Sequence, residues 1–144
     1  MKLQTRLVII ICSLLLFVII FLSFLFQYML AATLKEQIGM RALNVAETVV
    51  ATPHIRDAFK QPNPHQQIQP FAEMIRRKTG AEYVVVGNRQ GIRYAHPLPD
   101  RIGKKMVGGD NHEVLKGKAI ISEAVGSLGP AIRGKATIFN ERGN

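Results

Sequence analysis

Four basic side chains in the second half of this 144-residue chain are of types that bind anions. Arg133 and Lys135 stand two apart in a β-prone run, so on a strand they share one face. Arginine brings a planar fork that matches a carboxylate, and lysine a compact point charge. Arg93 and His96 stand three apart, just before Pro97. An ideal strand sends them to opposite faces, so they share a pocket only if the chain bends ahead of the proline. A protonated His96 adds a further donor. Gly126, Gly129 and Gly134 leave room for backbone N–H groups to approach an anion. On spacing alone, Arg133 and Lys135 fit a solvated strand face as the commoner case, and His96 fits a structural role.

Other chemistries find less support. The four histidines (His54, His65, His96 and His112) show no metal-ligand spacing, and the single Cys12 lies far from them, so no zinc site is expected. With one cysteine no disulfide can form within the chain. There is no Gly-x-Ser-x-Gly elbow and no phosphate-binding glycine loop. Ser127 has no acidic partner nearby in sequence, so an enzyme is not expected, and neither is a cofactor. The run Arg76-Arg77-Lys78 reads as a solvated helix end, favoured by the helix dipole. Lys104-Lys105 reads as an exposed loop, with contact to anionic headgroups a lesser option.

These residues need elements to carry them. Leu7 to Phe26 is an uncharged apolar run of twenty residues, long enough for a bilayer, which needs about 20. A cleaved signal has an apolar stretch of about 7–15 residues and a small-x-small site, so an uncleaved anchor fits better. Lys2 and Arg6 precede the run, and the first charges after it are Lys35 and Glu36. The positive-inside rule puts the N-terminus in the cytoplasm and everything after residue 30 outside it. The domain division expected is therefore residues 1–30, a cytoplasmic start and membrane anchor, and residues 31–144, one small extracytoplasmic domain. The whole chain carries 19 Lys+Arg against 10 Asp+Glu, a formal charge of +9. An exported, tethered domain makes nucleic acid an unlikely partner despite that charge.

Ala31 to Thr52 predicts a helix continuing from the span, with Leu34, Ile38, Ala42, Val45 and Val49 on one face. Pro53 ends it and opens a short helix through Phe59. His65 to Thr79 predicts a third helix, with Ile68, Phe71, Ala72 and Ile75 as its apolar stripe and Gly80 as its stop. Glu82–Val86 and Ile92–His96 predict a hairpin around Asn88–Gly91. Asp110 can cap a short helix, with Glu113 three residues on. Lys118–Val125 and Ala131–Phe139 predict two further strands joined at Gly126-Ser127-Leu128-Gly129. Asn140 to Asn144 reads as a turn with no strand after it, which suggests a sheet short of one partner and a domain of reduced stability.

The stretch Val84-Val85-Val86-Gly87, then Arg93-Tyr94-Ala95-His96-Pro97, Arg101-Ile102-Gly103 and Gly108-Gly109-Asp110, resembles the sensor domain of citrate and C4-dicarboxylate sensor histidine kinases. Gly126-Ser127-Leu128-Gly129 followed by Arg133-Gly134-Lys135 extends the resemblance over the whole chain. It implies an α+β fold: a transmembrane helix continuing into a long helix, then a PAS-like (single Cache or PDC) antiparallel sheet lacking its last strand. It implies that ligand carboxylates are held by Arg93, His96, Arg133 and Lys135, with Ser127 and the backbone around Leu128 and Gly129. The expected partners are a small carboxylate (citrate, malate, fumarate or succinate), the lipid bilayer, and a second copy through the leading helix. Pro130 stands where some citrate sensors carry an aromatic residue. Family members continue into a second membrane helix, a cytoplasmic PAS domain and a kinase, so this sequence matches the front of such a receptor and is not expected to transfer phosphate itself. A chemoreceptor or other signalling protein carrying the same outer fold is the alternative, as is a remnant that does not signal.

Overall fold

A computed structural model describes residues 2–109 and 111–139. Helix α1 runs from Leu3 to Ala51 without a break. It contributes to two compact units, Met1–Gln37 and Ile38–Asn144. In the first unit the helix presents its apolar side chains outward, with Phe17 67 % and Phe24 74 % exposed. Helix α1 is long and apolar enough to cross a membrane. Water offers nothing to cover such a surface, whereas lipid tails do. Two of its hydroxyls turn back to the helix, Ser13 onto the Ile10 carbonyl and Thr33 onto that of Met29, which satisfies them within the helix.

The second unit contains the end of α1, helices α2 (Pro53–Ala58) and α3 (His65–Thr79), strands β1 (Val86–Gly87) and β2 (Arg93–Ala95), a 3-10 turn at Pro99–Arg101, helix α4 (Asn111–Leu115), and strands β3 (Ile120–Gly126) and β4 (Gly129–Lys135). The α3 boundaries follow from sequence as expected. Gly80 stops the helix because it adopts the left-handed conformation at φ +69°, which costs a residue with a Cβ about 1–2 kcal/mol. Ile68 and Ala72 turn the apolar stripe of α3 into the core, where they meet Val49, Ile55, Ala58, Val86 and Ala95. Fully burying an isoleucine such as Ile55 or Ile68 stabilises by about 1.5–3 kcal/mol. The rings of Phe59 and Tyr94 close this core edge to face, with centroids 5.5 Å apart.

The strands depart from expectation in their lengths. β1 is two residues rather than five, and its ladder with β2 slips between Val86 and Gly87. Gly87 packs directly on Met106 and the Ile92 carbonyl, a place with no room for a Cβ. The segment after the 3-10 turn completes this region as a further antiparallel partner. The Arg93 N–H donates to the Lys104 carbonyl, Gly103 N–H to Arg93, and Met106 N–H to Gly91. β3 and β4 form a second hairpin in full register from Ile120↔Lys135 to Gly126↔Gly129, with Ser127 and Leu128 as a two-residue turn. This hairpin ends at Lys135, so the expected strand through Phe139 is shorter. Asp110, expected as a helix cap, and the turn at 140–144 lie outside the described residues. Glu113 pairs with Lys116 and Lys118.

The register divides the β3–β4 hairpin into two faces. Residues paired across it share a face, so Ile121, Glu123, Ile132 and Gly134 lie on one side, and Ser122, Ala124, Ala131, Arg133 and Lys135 on the other. The first face meets α1. Ile121 and Ile132 lie over Gly39, where an added Cβ would come within 2.7 Å of Ile121 Cγ2. Gly134 sits against the α1 backbone at Ala42 and Leu43, with no space for a side chain. This corrects the expectation that Gly134 opens room for an anion: its missing side chain admits the helix, on the face opposite Arg133 and Lys135.

Candidate functional site

β2 buries, half-buries and buries its three residues in turn, which places Arg93 and Ala95 inside and Tyr94 between. Arg93 is 3 % exposed. No carboxylate among the described residues pairs with its guanidinium, and burial together with the nearby Arg101 charge lowers its pKa. Arg101 itself leans 3.5 Å from Asp100 in an exposed pair that contributes little. Burying a cation is costly unless it is paired.

His96 follows the last residue of β2, and there the chain leaves the ladder. Its own N–H donates to Gln69 Oε1 at 2.8 Å, and its carbonyl accepts from Gln69 Nε2 at 2.9 Å. The ring is 2 % exposed. The Leu98 N–H donates to its Nδ1 at 3.0 Å, and its Nε2 lies 2.9 Å from Ser127 Oγ. An acceptor at Nδ1 assigns the neutral proton to Nε2, which then donates to the serine. Burial, then the charge of Arg93, pushes the His96 pKa below its ordinary value. In this tautomer the neutral ring carries its proton at Nε2, on the side of Ser127.

The second pair sits on the outer face of the β3–β4 hairpin. The Arg133 side chain passes over Gly126, whose absent Cβ leaves Nη1 3.8 Å away, and donates to the Val107 carbonyl at 3.5 Å. Lys135 Nζ donates to Asn111 Oδ1 at 2.7 Å, so α4 reaches the strand end that carries the lysine. At the turn, Ser127 is half-buried beneath His96, and Leu128 is 40 % exposed. Gly129 has φ +106° with open space where a Cβ would stand, which leaves its backbone approachable. The structure thus joins His96 to Ser127 directly, couples His96 to Arg93 electrostatically, and sets Arg133 and Lys135 on one face. Gln69, Arg101 and Asn111 are neighbours that sequence spacing did not single out. Arg101 belonged to a recognisable block, but a glutamine 27 residues from its partner leaves no local signal.

A family profile described as single Cache domain 3 matches residues 29–144 of the chain. The chain belongs to this single Cache family. Among its relatives, the sensor protein CitS of Halalkalibacterium halodurans is 57 % identical over 114 residues, which is 78 % of this chain and 21 % of that protein. A probable C4-dicarboxylate sensor kinase of Bacillus subtilis is 32 % identical over 101 residues, 70 % of this chain and 19 % of that one. The crystal structure of the Escherichia coli DcuS sensor domain superposes with a TM-score of 0.71 at 31 % identity, covering 76 % of this chain and 83 % of that one. This single Cache domain therefore has the α+β, PAS-like fold of the DcuS sensor domain, with a long leading helix and small antiparallel sheets. The chain spans about a fifth of the length of these two curated relatives.

Proposed function

We propose that the chain is the extracytoplasmic input domain of a two-component sensor histidine kinase, and that it binds a di- or tricarboxylate such as citrate, malate, fumarate or succinate. The observation that carries this reading is Arg93, a buried guanidinium without a carboxylate partner among the described residues and next in the fold to a buried His96. An anion there relieves the cost of burying the charge. Arg93 and His96 are assigned to one carboxylate, Arg133 and Lys135 to another, with the Ser127 hydroxyl and the backbone of Leu128 and Gly129 completing the site. The names of the relatives, among them a probable C4-dicarboxylate sensor kinase, support the ligand class.

In this reading residues 1–30 hold the cytoplasmic start and the membrane anchor, and residues 31–144 lie outside the cytoplasmic membrane. Ile38, 50 % exposed, and Met40, 47 % exposed, offer α1 an apolar surface for a second copy. Calorimetric titration of the chain in lipid nanodiscs with acetate, succinate, malate and citrate tests the ligand class. Saturable binding of a di- or tricarboxylate, with acetate at least tenfold weaker (about 1.4 kcal/mol), supports it; equal binding of acetate contradicts it.

A further inference from the structure

Two hydrogen bonds join the side chain of Gln69 to the backbone of His96. One glutamine amide satisfies both the N–H and the C=O of a single buried residue, at 2.8 and 2.9 Å. It takes the place that a neighbouring strand fills one residue earlier, at Ala95. The requirement is physical: His96 is 2 % exposed, and its backbone groups left without partners would cost about 1–3 kcal/mol each. Gln69 immediately follows the fully buried Ile68 on α3, so packing of that helix fixes where the amide sits.

We propose that Gln69 is a positioning residue for the anion site. It acts through His96: holding that backbone on both sides leaves the ring one orientation, with Nδ1 on the Leu98 N–H and Nε2 toward Ser127. The inference rests on the anion-site reading above. A satisfied backbone alone requires only that the two bonds exist, whereas a positioning role requires that their loss reach the ligand through the imidazole.

The test is a double-mutant cycle on the full chain in lipid nanodiscs, read by calorimetry with citrate and malate as probes. Gln69→Met keeps the length of the side chain and removes the amide. Gln69→Glu serves as the second variant should the first not fold, since it can accept from the His96 N–H but repels the His96 carbonyl. Either variant is expected to raise the Kd by about tenfold, by analogy with the roughly 10–100-fold cost of removing a group that orients a metal ligand. In a His96→Ala background the same change is expected to have no further effect. A Gln69 variant that binds as the parent does overturns the proposal, and so does an equal loss with and without the imidazole. A parent chain that binds neither probe, or a His96→Ala chain that binds as the parent does, removes the anion-site reading itself, a failure distinct from the first two.

Discussion

Ser127 Oγ lies 2.9 Å from His96 Nε2, across 31 residues of chain. The bond ties the end of β2 to the turn between β3 and β4, two hairpins that share no ladder. It also sets the chemistry at the junction. The Leu98 N–H occupies Nδ1, so the neutral ring presents its one proton at Nε2, where the serine accepts it. In the proposed function an incoming carboxylate would compete for the same proton, and no protonation of the ring would be required for His96 to donate.

Arg133→Ala is expected to remove carboxylate binding and leave the fold in place. The side chain lies on the hairpin face opposite α1 and is half-buried. Each charge-assisted hydrogen bond contributes about 1.5–3 kcal/mol, so losing a forked pair weakens binding by roughly 100-fold or more. Calorimetry shows the loss, and an unchanged circular dichroism spectrum shows that the fold survives. Unaltered affinity would remove Arg133 from the site.

Stability is expected to fall as pH drops below about 6.5, the ordinary histidine value. The folded pKa of His96 lies below that value through burial and the charge of Arg93, with Arg101 acting in the same direction and Asp100 opposing. The unfolded chain therefore takes up the proton first, and this contribution is complete above pH 6.5 and lost on the acid side. Melting temperatures between pH 8 and pH 5 measure the slope, which is expected to be shallower in His96→Gln. Arg93→Met is expected to raise the His96 titration midpoint in an NMR titration.

Gly134→Ala is expected to destabilise the domain by at least about 1–3 kcal/mol, the usual cost of overpacking. The added methyl meets the backbone of Ala42 and Leu43, which cannot swing aside as a side chain can. Gly109→Ala is the control, because nothing lies within 4 Å of its Cβ position. Denaturant unfolding of both variants distinguishes them; equal stability would mean that α1 does not pack on β4 in solution.

Ile68→Ala is expected to cost about 2–5 kcal/mol, since Ile68 is fully buried where α3 meets Val49 of α1, Ile55 and Ala58 of α2, and Val86 and Ala95 of the first strands. Because α3 also carries Gln69, the same variant is expected to weaken ligand binding in step with its loss of helix packing. A melting temperature within a degree of the parent would contradict the assignment of the core.

Sequence periodicity was sufficient for the helices and insufficient for the first sheet. α3 runs from His65 to Thr79 as its apolar stripe and Gly80 require, because a helix is bonded within itself. β1 and β2 depend on partners elsewhere in the chain, and their lengths are set by Gly87 against Met106 and by Gln69 replacing a strand at His96. The cations of the site were legible as residue types. What they face was not: Gly134 lies on the helix side of its strand, and the buried state of Arg93 follows from three-dimensional packing.

In the proposed function the buried Arg93 receives a carboxylate. Calorimetric titration of the parent chain and of Arg93→Met, in lipid nanodiscs with citrate and malate, tests it most directly. The account predicts saturable binding of at least one of them by the parent and its loss in the variant, with melting temperature kept or raised because a buried charge that no carboxylate among the described residues pairs is gone. Equal affinity in the two chains, or no binding by the parent, would contradict it.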